Sequence, residues 1–277
     1  MKQILKNFFK YNRNFSLGYF EVFDKLFKLP TNYGPDNAWR DYNFLLENIL
    51  DKIQKSKTTL DNINVLEIGA GKKSSFNQLL KDKYSLKIVG LDISEEELKE
   101  NTLNDSIIIF DATNTNYESS LKEAGNKFDL VVSKMVLEHI SDPEVTHKLI
   151  AFCLKPEGLA VHFHPTLYDP AFLLNKFLNH KISSGLVKFL SPGRHAVGVF
   201  PAYYKNCTTI NKKLITFFDT CGYSLFFERH YYGTDYFCFF FPIYIIIFHF
   251  LLLCCKFGLK TYTSYSLFCL QKKQYCI

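Results

Sequence analysis

The sequence predicts an α/β fold organised around a parallel sheet, and three observations predict it. From residue 63, short apolar runs alternate with helix-forming segments, the rhythm that gives parallel strands joined by right-handed crossovers. The runs are apolar nearly throughout, as strands must be when helices cover both sheet faces. The first run ends in Glu67-Ile68-Gly69-Ala70-Gly71, a glycine turn leading from strand into helix. With 277 residues, 47% of them hydrophobic, the chain can build one large domain with insertions or two small domains.

Residues 1–60 read as an N-terminal helical cap. At helical spacing, Lys2, Lys6, Lys10 and Arg13 share one face, and Ile4, Leu5, Phe8, Phe9 and Phe15 share the other. Leu29-Pro30 and Tyr33-Gly34-Pro35 punctuate the segment, after which Asp36 or Asn37 caps a helix running through Trp39, Leu46 and Ile53. Residues 61–277 read as the main domain. Strands are expected at Ile63–Ile68, Leu86–Leu91, Ile107–Phe110, Phe128–Ser133 and Leu159–His164. Helices are expected at Phe76–Leu80, after Ser94, whose spacing to Glu97 is a capping box, and over Pro143–Leu154. Lys155-Pro156-Glu157-Gly158 reads as a turn. Residues 165–213 read as an insertion with a short helix at Ala171–Leu178. A helix at Leu214–Cys221, a sixth strand at Tyr223–Tyr231 and a seventh at Thr263–Leu270 follow.

Between the last two strands lies an apolar insertion, 236–258. Its Tyr236–Cys255 run carries no formal charge and by length qualifies to span a bilayer. A crossing there would leave the seventh strand on the wrong side of the membrane. The expectation is therefore a helix over Pro242–Phe257 that lies on a membrane, pairs with a second subunit as a homodimer, or packs in the core. Residues 1–15 and 254–277 carry lysine or arginine and no acid, which suits an anionic membrane surface or ordinary solvated ends. A net charge of +6 does not point to a nucleic-acid partner. The eight cysteines lack Cys-x-x-Cys pairs and zinc spacing, so no metal is expected, and reduced thiols place the chain in the cytoplasm.

Chemistry concentrates at the strand ends. The loop Glu67, Gly69, Ala70 and Gly71 lets a ligand approach backbone N–H groups at a helix start. A dinucleotide site requires glycine or alanine at position 74, where this chain has Ser74, and Glu67 repels a pyrophosphate but suits a cationic cofactor. Asp92, with Ile93 beside it, ends the second strand, where a carboxylate accepts ribose hydroxyls. Asp111-Ala112 ends the third, where a carboxylate and a backbone N–H suit adenine or face solvent.

With these stretches in place, the chain resembles a class I S-adenosylmethionine-dependent methyltransferase. The likeness rests on VLEIGAG (65–71), IVGLDIS (88–94), FDAT (110–113), FDLVVSKMVLEHISDPE (128–144) and LKPEGLAVHFHP (154–165). The stretch from Ser133 to Ile140 resembles the branch that holds quinone, sterol and small-metabolite methyltransferases. The resemblance implies a Rossmann-like seven-stranded, mostly parallel sheet whose seventh strand is antiparallel and lies between five and six. It implies S-adenosyl-L-methionine as cofactor: Glu67, Gly69 and Gly71 on the methionine portion, Asp92 on the ribose, Asp111 and Ala112 on the adenine, and the Ser133 backbone facing the amino group. One departure is Lys73, where the family usually has a third glycine.

Methyl transfer needs alignment and a dry pocket, and an oxygen or nitrogen acceptor also needs a base. His139 after the fourth strand and His164 at the end of the fifth are the candidates; each also suits a buried, hydrogen-bonded role. Tyr168, Arg194, His195, Tyr203 and Tyr204 are candidate contacts to a small-molecule, lipid-linked or sugar-like acceptor. An enzyme with such an acceptor is expected to be peripheral at the inner face of a membrane. Two other readings stand beside this one: an NAD(P)-dependent oxidoreductase, and a non-catalytic cofactor-fold protein with a membrane or assembly role.

Overall fold

The computed structural model describes residues 2–57, 61–177 and 201–274. Its sheet has seven strands: β1 (Ile63–Ile68), β2 (Leu86–Asp92), β3 (Ser106–Ile109), β4 (Phe128–Lys134), β5 (Leu154–Pro165), β6 (Tyr223–Tyr231) and β7 (Tyr265–Lys272). Their order is β3-β2-β1-β4-β5-β7-β6. β1 pairs in parallel with β2, from Ile63↔Leu86 to Ile68↔Leu91, and on its other side with β4. β7 is antiparallel. The Lys273 N–H reaches the Gly222 carbonyl and the Ser264 N–H reaches that of Tyr231, so one strand climbs as the other descends. The Rossmann-like order and the position of the seventh strand are those the resemblance implied.

The helices are α1 (Lys2–Phe27), α2 (Pro35–Ser56), α3 (Gln78–Lys83), α4 (Glu95–Glu100), α5 (Tyr117–Ser120), α6 (Pro143–Cys153), α7 (Pro170–Phe177), α8 (Lys212–Thr220) and α9 (Phe241–Lys256). Local chemistry sets their starts. The Ser94 hydroxyl accepts the Glu97 N–H at the head of α4, one half of the expected capping box. Asp142 caps α6, with Pro143 in its first turn. Two elements differ from expectation. α3 begins at Gln78 rather than Phe76, because the Asn77 side chain accepts the Leu80 N–H and caps it there. Lys155-Pro156-Glu157-Gly158 does not separate helix from strand: β5 already begins at Leu154, paired with Phe128, and a register shift absorbs the irregular residues.

The chain divides into two compact units. One comprises Arg40–His164, Tyr204–Arg229 and Ser266–Ile277. It holds β1 to β4 and nearly all of β5. Its core combines aliphatic strand residues, Val65, Leu66, Ile88, Leu130, Val131 and Val161, with buried rings such as Tyr42, Phe128, Phe163 and Phe268.

The other unit comprises Met1–Trp39, Pro165–Tyr203 and His230–Tyr265. Its core is aromatic and gathers around Tyr33 and Phe248. The Tyr33 hydroxyl donates to the Phe248 carbonyl at 2.8 Å, and Tyr19 and Phe23 of α1 meet the Phe248 ring edge-to-face. Much of the chain's unusual Phe content is spent here. The apolar run that begins at Tyr236 folds as a turn followed by the 16-residue α9, with Pro242 in its first turn. No helix among the described residues is long and apolar enough to cross a membrane.

Candidate functional site

Gly69 and Gly71 both have positive φ, +64° and +46°, a backbone region that other residues enter at a cost. The turn they make sends the Gly69 and Ala70 N–H groups back to the Leu91 carbonyl of β2, at 2.7 and 3.2 Å. The Ala70 carbonyl accepts from the buried Asn101 amide. A Cβ on Gly69 would overlap the Val136 side chain, so the loop runs hard against the segment after β4.

Glu67 is 3% exposed. One carboxylate oxygen accepts the Ser74 hydroxyl at 2.7 Å and the other the Ser75 N–H at 2.6 Å. Burial pushes its pKa up; the bonds from Ser75 and Ser74 and the charge of Lys134 oppose that rise. Glu67 thus organises the loop that follows it. Ser74, which excluded a dinucleotide fingerprint, is one of the two residues that satisfy it.

Asp92 closes the far side of the turn. One oxygen accepts the Gly71 N–H and the other the Ser94 N–H, each at 3.0 Å. An ionised carboxylate offers about four acceptor positions, so about one remains on each oxygen. That remainder matches a vicinal diol, and the two glycines hold backbone close beside it. The loop therefore fits an adenosine-bearing ligand. Ile93 next door is exposed. At β3, one oxygen of exposed Asp111 accepts both the N–H and the hydroxyl of Thr113. The Ala112 carbonyl is occupied by the Thr146 hydroxyl at 3.0 Å.

Beyond β4, Met135 has φ +58° although it is not glycine, and its N–H reaches the Phe163 carbonyl at 2.7 Å. Backbone strain of this kind gathers where surrounding structure imposes it, often at sites. Ser133 is fully buried, with its hydroxyl 2.7 Å from His162 Nδ1. His139 follows on a 3-10 turn, Leu137–His139; its ring is 33% exposed and 3.8 Å from the Glu138 carboxyl. Burial raises the Glu138 pKa to about 8. His164 is 2% exposed and lies beside the Phe268 ring. With His147, Cys207 and Phe218 it lines a cavity of about 10 Å³, room for about one water. Burial holds His147 down at about 3 and His162 lower than usual, so both are neutral.

One unit thus brings together Glu67, Gly69, Ala70, Gly71, Asp92, Ile93, Asp111, Ala112, Ser133, His139, His164 and Tyr204. Tyr204 is buried, and its N–H donates to the Glu138 carbonyl. Tyr168 and Tyr203 belong to the other unit, and Arg194 and His195 lie outside the described residues. Sequence reasoning missed Lys134, whose charge senses Glu67. Its signal was a lysine directly after the apolar run 130–132 and Ser133. It also missed Asn101, for which the sequence holds no signal.

A family profile described as a methyltransferase domain matches residues 39–192, just over half of the chain. Solved structures are similar at low identity. An S-adenosylmethionine-dependent methyltransferase from Archaeoglobus fulgidus is 15% identical over 92% of this chain and 100% of its own, with a TM-score of 0.45. Another, from Mesorhizobium loti, is 14% identical over 80% of this chain and 96% of its own, with a TM-score of 0.47. No curated protein matches the chain in sequence.

Two stability measurements check this geometry. Gly69→Ala adds positive-φ strain and the overlap with Val136, and is expected to cost about 2–4 kcal/mol in urea denaturation; a loss near zero contradicts the close approach. Glu138 keeps its proton when folded up to about pH 8 and releases it on unfolding above the ordinary carboxylate range. Stability is therefore lost as pH rises through that window. Glu138→Gln is expected to flatten the dependence, and a slope unchanged from wild type between pH 5 and 8 counts against the burial.

Proposed function

The chain belongs to the methyltransferase-domain family as a class I S-adenosylmethionine-dependent methyltransferase, and we propose that it methylates a small-molecule, lipid-linked or sugar-like acceptor by in-line transfer. The observation that carries this reading is the Asp92 carboxylate, which fixes the Gly71 N–H and keeps acceptor capacity for a diol.

Bound S-adenosylmethionine supplies an electrophilic methyl group on a sulfonium. Residue roles follow from the strand ends. Glu67, Gly69, Ala70 and Gly71 hold the methionine portion, Glu67 chiefly by shaping the loop. Asp92 and Ile93 hold the ribose, and Asp111 with Ala112 the adenine. The Ser133 backbone faces the amino group, its side chain being engaged with His162. The protein's work is then alignment and exclusion of water.

An acceptor bearing O–H or N–H also needs a base. His139 is the more exposed candidate, and the neighbouring Glu138 is held protonated near neutrality. His164 is the buried candidate, lining a cavity that admits water. Tyr204 lies in the same unit and positions the Glu138 backbone. Tyr168 lines an apolar groove in the other unit, which supports an apolar or lipid-linked acceptor and a peripheral place at a membrane's inner face.

Calorimetric titration tests the cofactor assignment. S-adenosylmethionine is expected to bind and NAD not to; the reverse order would favour an oxidoreductase. Asp92→Ala is expected to weaken S-adenosylmethionine binding about 10- to 100-fold, the loss of hydrogen bonds to a charged group. Once an acceptor is found, the base is read from pH profiles. Replacing it by alanine is expected to lower kcat about 10²- to 10⁴-fold and remove the acidic limb. If His139→Ala and His164→Ala both leave kcat intact, neither is the base.

A further inference from the structure

α9 is apolar all round, and a helix of that kind requires cover on every side. One side is covered: Tyr244, Phe248, Leu251 and Leu252 are buried in the aromatic core against α1. Among the described residues, nothing packs over the opposite side, which is exposed. Ile243, Ile246, Phe250, Leu253 and, one residue past the helix, Phe257 follow at intervals of three and four. At about 100° per residue they fall within an arc of about 80°. Ile246 is 69% exposed and Phe257 74%. α1 repeats the arrangement: Tyr19 and Phe23 pack inward, while Phe8, Tyr11, Phe15 and Val22 form an exposed row. The two helices touch through Phe15 and Phe241, with ring centroids 4.6 Å apart.

Charge marks what the bare side meets. The sequence has no Asp or Glu from Met1 to Phe20 and none from Tyr236 to the end. Lys256 and Lys260 stand exposed where the α9 row ends. A groove of about 400 Å³ adjoins the row, lined by Tyr168, Pro170, Leu173, Leu174, Phe250 and Tyr262. Phe250 belongs to both row and groove.

We propose that the outer face of α9, with the adjoining face of α1, docks on an anionic lipid bilayer, and that the groove receives an acyl chain from it. A second copy of the chain is a poorer occupant. It would bring its own Lys256 and Lys260 to the same apolar contact, like charge against like, with no acid between Tyr236 and the end of the chain to offset them. A bilayer with anionic headgroups provides apolar depth for the row and counter-charge for the lysines, the two signals that stable peripheral binding needs. The docking stands independently of methyl transfer; the acyl-chain assignment of the groove rests on the lipid-linked reading above.

The test is flotation of the full chain with vesicles of phosphatidylglycerol and phosphatidylcholine, beside vesicles of phosphatidylcholine alone, with calorimetric binding of S-adenosylmethionine run in parallel. Wild type is expected to float with the anionic vesicles, and to float less at high salt. Ile246→Asp with Leu253→Asp is expected to lower partitioning about tenfold or more, with cofactor binding unchanged. Lys256→Glu with Lys260→Glu is expected to lower it about tenfold on anionic vesicles. This second pair decides the matter if the first fails to fold. The proposal is overturned if wild type stays unbound to both vesicles, or if both pairs float like wild type. It is also overturned if light scattering shows a dimer that Ile246→Asp with Leu253→Asp dissociates while no vesicle binding occurs. Loss of cofactor binding with flotation intact would instead remove the methyltransferase reading and leave the docking standing.

Discussion

Burying a carboxylate at the end of a sheet strand is costly unless both its oxygens are filled. Glu67 meets that condition with the Ser74 hydroxyl and the Ser75 N–H, and Lys134 adds opposite charge. The consequence is geometric. Both bonds pull residues 74 and 75 back over the end of β1, so residues 69–73 must leave the strand, turn and return within a few residues. Only a glycine pair makes that turn while the Gly69 and Ala70 N–H groups remain bonded to Leu91. The same turn aims the Gly71 N–H at Asp92. One buried charge thus couples the ends of β1 and β2.

The other unit is held together by different forces. Its contacts are aromatic edges and a few hydrogen bonds from hydroxyls that burial would otherwise strand. The Tyr33 hydroxyl bonds to the Phe248 carbonyl, and Tyr19 pairs with His249 at 2.9 Å. Asp169 is buried there too; it accepts Ser264 and the Ala171 N–H, and burial lifts it to about 6. Among the described residues, α1 and α9 each present a second apolar face to solvent. A unit that needed only to fold would not require both.

Much of this was legible in the sequence because period and capping are local properties. The alternation from Ile63, the cap at Ser94, the strand at Tyr223–Tyr231 and the helix beginning near Pro242 all depend on neighbours within a few residues. The strand-end carboxylates were legible as well, since a parallel sheet brings its C-terminal edges together. What could not be read depends on contacts across long separations. Asn101 meets Ala70, Thr146 meets Ala112, and His162 meets Ser133, each fixed only once the sheet has formed. The segment 155–158 misled for a related reason: its Pro and Gly signal a turn, but pairing of β5 with β4 from Leu154 overrides local preference by admitting a register shift.

Lys73 shows how the loop accommodates its departure from the family pattern. A third glycine is needed where the backbone after the turn must approach a ligand or adopt positive φ. Here Lys73 has no positive φ, and its side chain is exposed. The path of residues 72–76 is set by Glu67 through Ser74 and Ser75, so glycine is not required to shape it. Acids also stand near the loop. Lys72 pairs with Glu100 at 2.9 Å, and the first turn of α4 presents Glu95, Glu96 and Glu97. Exposed charges of both signs close together leave little net field beyond a Debye length. Ser74 and Ser75 shape the path by bonding Glu67, and Lys73 faces water.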